Sequence, residues 1–118
     1  MASDADDLLA RQLAELRGEY LAEADKRVAE LRALRNRLTL APADALSGLR
    51  QAFHRLAGSG GSYGFPDVSA RSRDGEQLAQ RLLDGGAAVG QDDLAPFDQC
   101  IASVERAFAD ARTKQAKD

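Results

Sequence analysis

The chain has few aromatic residues, and cysteine and histidine occur once each. Its 118 residues contain no Trp, and aromatic residues make up only 5% of them. A single cysteine excludes an internal disulfide, and the lack of a Cys/His ligand set excludes a structural zinc site. This cysteine usage is typical of a reducing compartment, so we expect a cytoplasmic location.

Long apolar runs and an excess of one charge are also missing. There is no stretch of 18 apolar residues, and residues 1–4 lack the basic start and apolar run of a signal peptide. The net charge is -3 with both signs interspersed, which does not favour nucleic acid or an anionic membrane as a partner. We therefore expect no nucleic-acid partner and no membrane association.

What the chain does have is a helix-forming composition. Hydrophobic residues make up 44% and charged residues 30%, as in ordinary globular proteins. Ala, Leu, Arg, Asp, Glu and Gln dominate, whereas the β-branched and aromatic residues that strands prefer are few. No internal repeat is present, so we expect a single domain over residues 1–118.

Breaks rich in glycine and proline divide the chain into four predicted helical segments. The first covers residues 4–38, with Gly18 as a break that leaves a short N-terminal helix over residues 4–17. The second covers 42–63, the third 66–84, and the fourth begins at Asp92 or Asp93 as its N-cap.

These segments predict an all-α fold, an antiparallel up-and-down four-helix bundle with an additional N-terminal helix. We expect the bundle over residues 18–113 and a frayed tail over 114–118. The predicted inward positions recur at helical spacing: Leu13, Leu16, Tyr20, Ala24, Val28, Leu31 and Leu38; Leu46, Leu49, Phe53, Leu56 and Tyr63; Val68, Ser72, Gly75, Ala79 and Leu82; Leu94, Phe97, Ile101, Val104, Phe108 and Ala111.

The single histidine lies off the apolar face of the second helix. At about 100° per residue, His54 falls roughly 140° from the centre of that face, so we expect it to point to solvent. Gly58 and Gly61 lie beside it on the wheel, although a mid-helix Gly costs about 1 kcal/mol relative to Ala. We interpret these glycines as clearance that lets another protein close over the imidazole.

An accessible imidazole can accept a phosphoryl group covalently and pass it on. Arg50, Gln51 and Arg55 flank the histidine and are candidates to contact phosphate oxygens or a phosphorylated partner. The pattern alone leaves two alternatives open. The histidine is incidental, or the helix ends at Gly58 and residues 58–61 form a loop.

Residues 53–64, FHRLAGSGGSYG, resemble the signature of histidine phosphotransfer (HPt) domains. That signature is a histidine, any residue, Leu, usually Lys, Gly, and then a run of small residues that closes on a second Gly. Farther along the chain, the family often has an apolar residue, then a small residue or Cys, and then a Glu, and this second pattern also matches. The matching positions are His54, Leu56, Gly58 and Gly64, followed by Val68, Ser72 and Glu76. The resemblance covers the whole chain, since HPt domains are four-helix bundles with an additional N-terminal helix.

The resemblance implies a phosphorelay intermediate phosphorylated on His54, and not an enzyme that acts alone. The implied partners are the receiver domain of a response regulator or hybrid kinase, and a sensor histidine kinase. No cofactor is implied for this chain, because the partner receiver supplies the Mg²⁺ and most catalytic groups. We expect a monomer with a partner surface made of Arg50, Gln51, Arg55, Ala57, Gly58 and Gly61.

Two positions depart from the family pattern. Ala57 replaces the usual Lys, which in the family is taken to steady the phosphate or meet the partner. Gly75 replaces the Leu that usually precedes the Glu, and we expect this to weaken packing in the third helix.

Arg71 and Arg73 of that helix are either part of a partner surface or ordinary solvated arginines. Cys100 is expected to be a partly buried structural thiol.

The departures leave two other functions to weigh. The first is a non-catalytic docking or dimerisation module in which the histidine is incidental. The second is the dimerisation and phosphoacceptor piece of a histidine kinase. That piece normally has acidic and Asn/Thr residues after its histidine and a helical hairpin that needs a second chain, whereas His54 is followed by Arg55 and Leu56.

Overall fold

The computed structural model describes residues 4–117, which form five α-helices connected by short turns. Residues 1–3 of the segment examined for a signal peptide, and Asp118 of the predicted tail, lie outside the described residues. No β-strand occurs between residues 4 and 117. The helices are α1 (Asp4–Ala22), α2 (Ala24–Asn36), α3 (Pro42–Ser62), α4 (Pro66–Asp84) and α5 (Gln91–Lys117).

Helices α2 to α5 close into a ring, in which α3 and α5 each contact both α2 and α4. Adjacent helices in the ring run antiparallel, as the pairing of α2 with α5 shows. Arg32 pairs with Glu105, and Arg35, one turn later in α2, pairs with Asp98, two turns earlier in α5. Helix α1 lies against α2 and α5. The predicted four-helix bundle with an additional N-terminal helix is confirmed.

One apolar core fills the space between the four bundle helices. All predicted inward positions from Tyr20 to Ala111 are buried or half-buried. A fully buried Leu, Val or Phe side chain stabilises the fold by about 1.5–3 kcal/mol. The largest fully buried side chains are Phe53, Phe97, Phe108, Leu31, Leu38, Leu46, Leu49, Ile101, Val68 and Val104.

The first predicted segment divides at a different residue from the one expected. Gly18 lies inside α1, and the interruption falls at Glu23, whose N–H donates to the Tyr20 carbonyl three residues earlier. A single glycine costs only about 1 kcal/mol, which the helical hydrogen bonds on both sides outweigh. The predicted boundaries of 4–17 for the N-terminal helix and 18 for the bundle are therefore wrong.

Two of the predicted inward residues in α1 are exposed. Leu13 is 42% exposed and Leu16 is 46% exposed, and the preceding Leu8 and Leu9 are more exposed still. The molecule is elongated, 58 × 22 × 17 Å, because the N-terminal part of α1 extends past the bundle and has little to pack against. Periodicity predicts an apolar helix face but does not say whether another element covers it.

The turns around α3 follow the predicted breaks. Pro42 and Pro66 occupy first-turn positions of α3 and α4, where the missing N–H costs no helical hydrogen bond. Gly64 adopts φ +86 between them, a left-handed conformation that favours glycine. The run from Gly58 to Gly61 remains helical, so the alternative in which it forms a loop is wrong.

Both ends of α5 differ from the prediction. The helix begins at Gln91, before the predicted N-cap, and Asp93 accepts a hydrogen bond from the Gly90 backbone N–H at 2.8 Å. Asp93 therefore closes the first turn from inside the helix, as the acidic residue of a capping box does. The tail predicted to fray over residues 114–118 is helical as far as Lys117, with Gln115 donating to the Ala14 carbonyl at 3.1 Å.

Candidate functional site

His54 lies in the middle of α3, on the side opposite the bundle core. Its side chain is 72% exposed, whereas the preceding Phe53 is fully buried. The apolar face that turns Phe53 and Leu56 inward therefore turns His54 outward, as the wheel predicts. The predicted exposure is confirmed.

A carboxylate on the neighbouring helix holds one nitrogen of the imidazole. The Nδ1 atom of His54 lies 2.7 Å from Oε2 of Glu76 in α4, and the Glu76 side chain is only 25% exposed. A carboxylate accepts hydrogen bonds, so this contact favours the tautomer in which Nδ1 carries the proton and donates it to Glu76. In the neutral ring the remaining lone pair then belongs to Nε2, the nitrogen that faces solvent.

Of the glycines near His54, Gly58 faces open space, whereas Gly60 and Gly61 lie next to residues of α4. A Cβ added to Gly58 would meet nothing within 4 Å, and one added to Gly61 would touch only the Ser69 hydroxyl at 3.6 Å. Gly60 is buried, and a Cβ there would lie 3.0 Å from the Ser69 backbone N. Gly60 therefore permits close packing of α3 against α4, whereas Gly58 and Gly61 face away from the core.

Comparison with known families decides the class of the chain. The family model described as Hpt domain matches residues 15–110, which include all of α2, α3 and α4 and most of α5. The chain belongs to the Hpt family. No curated protein and no solved structure gives a significant match. Hpt domains are helical phosphocarriers of two-component phosphorelays, in which histidine phosphotransfer takes place.

In this Hpt domain, position 57 offers no surface to a partner. Ala57 is 5% exposed, and its carbonyl accepts a 2.6 Å hydrogen bond from the Ser69 hydroxyl of α4. The prediction that Ala57 belongs to the partner surface is at odds with this burial. An alanine here also supplies no positive charge next to His54.

Gly75 has a different effect from the one expected of it. A Cβ at Gly75 would lie 2.5 Å from the ring of Phe53, which is fully buried and has no space into which to move. The glycine therefore lets α4 pack directly against the ring of Phe53, the residue before His54. The expected weakening of packing is wrong at this position, since the missing side chain permits a closer contact that brings Glu76 to His54.

The three polar residues predicted to flank His54 lie on two different surfaces. Arg50 is half-buried one turn before His54, and Gln51 is exposed beside it. Arg55 instead lines a groove of about 540 Å³ between α3 and the first two helices, together with Tyr20 and Tyr63. The two tyrosine rings stack there with centroids 4.6 Å apart. Arg50 and Gln51 therefore share the surface of His54 more closely than Arg55 does.

The predicted site omitted Glu76, the residue that contacts the His54 ring. Its position was matched only as part of the family pattern, and no spacing within one helix relates it to His54, since the two residues lie on neighbouring helices.

Burial raises the pKa of the half-buried Cys100 thiol, with nearby Asp74 adding to the effect, which suits the predicted structural thiol. Among the described residues no cluster suited to a metal ion is found, and none of their helices could cross a membrane.

Proposed function

We propose that the chain is a phosphorelay intermediate that receives a phosphoryl group on Nε2 of His54 and returns it to an aspartate. The observation that carries this proposal is the orientation of the ring. Glu76 holds Nδ1 at 2.7 Å while the other edge of a largely exposed imidazole faces solvent. Membership of the Hpt family supports histidine as the acceptor, and His54 is the chain's single histidine.

The transfer step balances with the groups present in the two proteins. The Nε2 lone pair attacks the phosphorus of a receiver's aspartyl phosphate, so an N–P bond forms and the P–O bond breaks. The aspartate leaves as a carboxylate with the bonding electron pair. The proton stays on Nδ1, so the ring becomes cationic, and the Glu76 carboxylate stabilises that charge across the existing hydrogen bond.

A receiver domain is the partner that this step requires. It supplies the aspartyl phosphate, the Mg²⁺ and most of the catalytic groups, while this chain supplies the nucleophile and its orientation. Gly58 leaves open space beside His54 into which the edge of a partner's site can enter. We expect a small contact surface that dissociates readily, as in transient complexes. A sensor histidine kinase as donor, the monomeric state and the cytoplasmic location remain predictions.

The structure bears on the two rival functions differently. The four helices α2 to α5 close a bundle within one chain, which does not favour a kinase piece that needs a second chain to complete it. A docking module with an incidental histidine does not require the close contact of His54 with Glu76. Measuring the size of the protein in solution tests the first rival, because an obligate dimer would favour the kinase piece.

The proposal is tested by incubating the protein with a phosphorylated receiver domain. We expect phosphate on this chain that is labile to acid and stable to base, as phosphohistidine is. We also expect none on the His54→Gln variant. Equal labelling of the two proteins would overturn the proposal. Receiver binding by the wild type without any phosphate transfer would favour the docking module instead.

A further inference from the structure

We propose that Arg73 of α4 binds the phosphoryl group on His54, in place of the lysine that the family pattern has at position 57. This inference rests on the proposed function, because it concerns the same phosphorylated ring. It differs in naming a second helix as the source of the positive charge. Three observations support it: the pairing of α3 with α4, the open space at Gly58, and an Arg73 side chain that has no partner among residues 4–117.

The pairing of the two helices brings Arg73 opposite position 57. The Ser69 hydroxyl of α4 donates to the Ala57 carbonyl of α3, and Glu76 contacts His54. Arg73 lies between these two contacts along α4, one turn after Ser69 and one turn before Glu76. At about 100° per residue, Ser69, Arg73 and Glu76 lie within roughly 60° of one another on α4, so Arg73 belongs to the face that meets α3.

The surroundings leave room for a guanidinium at this place. Ala57 presents a buried methyl group, and beyond the adjoining residues and backbone of α3 itself no atom lies within 4 Å of the position that a Gly58 Cβ would occupy. Arg73 itself is exposed, and within residues 4–117 it has no hydrogen bond or ion pair. Arg71, two residues earlier, is exposed as well but pairs with Asp74. Arg73 is therefore available to a new anion.

The charge on the modified ring creates the need for such a cation. A phosphoryl group adds a charge of about -1.5 to -2, and on Nε2 it lies across the ring from the Glu76 carboxylate. Three arginines lie within one helical turn of this pair. Arg55 lines the groove beside Tyr20, which leaves Arg50, preceding His54, and Arg73, preceding Glu76. Of the two, Arg73 occupies the position opposite residue 57, and a guanidinium binds phosphate oxygens in a bidentate manner.

The test uses protein phosphorylated by phosphoramidate, a small donor that transfers its phosphoryl group and releases ammonia. No partner is needed, so the result is independent of whether a receiver transfers phosphate to this chain. The pKa of the phosphoryl group is read from the ³¹P shift as pH changes, with Glu76 and Arg50 as the other charged groups that face it. In Arg73→Gln we expect this pKa to rise by about 0.7, the effect of one charge at roughly 4 Å in water.

Matched variants make the outcome decisive, and circular dichroism checks that each is folded. Arg73→Lys should retain most of the effect, since it keeps the charge. Arg71→Gln removes an arginine of the same helix that is already paired and should leave the titration unchanged. A titration of Arg73→Gln equal to that of the wild type would overturn the proposal, and so would a shift seen only in Arg50→Gln.

A functional measurement follows from the same contact. Loss of one charge-assisted hydrogen bond to the phosphate should lower the equilibrium constant for phosphoryl transfer from a receiver to His54 by about tenfold or more. Loss of transfer in the wild type would refute the proposed function while leaving the titration result intact. An unchanged equilibrium constant in Arg73→Gln would refute the role of Arg73 alone.

Discussion

At the scale of single residues, a short contact fixes the orientation of the His54 ring. Glu76 contacts Nδ1, which leaves Nε2 at the exposed edge of the ring before any partner binds. Preorganisation of this kind removes an ordering step from the reaction. The helical wheel predicts the exposure of His54 because exposure is a property of one helix. It does not predict Glu76, whose contact depends on how two helices pair.

Gly58 tests the interpretation of the open space. Replacing it by Leu should slow phosphoryl transfer from a receiver domain, because the new side chain occupies the approach to His54. Labelling by phosphoramidate should change much less, since this small donor needs little space. Rates of both reactions, measured on the folded variant, check the prediction. Transfer from the receiver at the wild-type rate would show that the partner does not use this space.

At the scale of elements, the pairing of α3 with α4 depends on which glycines are in contact. Gly58 and Gly75 both lie in mid-helix, yet one faces open space and the other faces the ring of Phe53. Sequence identifies both as costly helix residues but does not distinguish them, because the difference arises from the neighbouring helix. For the same reason Gly75 is predicted to weaken packing, whereas it permits the contact that aligns Glu76.

The same substitution at these two glycines should have effects of opposite sign. Gly58→Ala should stabilise the protein by about 0.5–1 kcal/mol, because alanine has the higher helix propensity and meets no atom. Gly75→Ala should destabilise it by about 1–3 kcal/mol, because the new methyl overlaps a buried ring that cannot move away. Urea unfolding of both variants gives the free energies. Equal effects would contradict the packing described for Gly75.

The helix bounds show which helix ends can be predicted from the local sequence and which cannot. The breaks at Pro42, Gly64 and Pro66 are predicted because proline and a left-handed glycine restrict the backbone by themselves. Gly18 is wrongly predicted as a break, since one glycine weakens a helix without ending it. The start of α5 is missed by one or two residues because Asp93 acts from inside the first turn.

At the scale of the whole molecule, α1 is only partly integrated into the bundle. Its exposed leucines extend beyond the helices that close the core, and the matched family region begins within α1 at residue 15. Composition and periodicity predict the architecture because they report on buried faces. They do not predict how far α1 projects, since an apolar face looks the same in sequence whether or not it is covered.

A chain that begins at Glu15 should therefore keep the bundle and its activity. The deletion removes the exposed Leu8, Leu9 and Leu13, together with the exposed hydrogen bond from Gln115 to the Ala14 carbonyl. We expect a melting temperature within a few degrees of the full chain and unchanged transfer from a receiver domain. A matched deletion after Ala107 removes the buried Phe108 and should unfold the protein. A large loss of stability on removing residues 1–14 would contradict the peripheral place of α1.

The central claim is that Nε2 of His54 accepts the phosphoryl group while Glu76 holds Nδ1. The most direct test is NMR of ¹⁵N-histidine-labelled protein after transfer from a phosphorylated receiver, with ³¹P coupling used to identify the bonded nitrogen. We expect one phosphorylated histidine with phosphorus bonded to Nε2 and a proton retained on Nδ1. Phosphorus bonded to Nδ1, or phosphate on any residue other than His54, would contradict it.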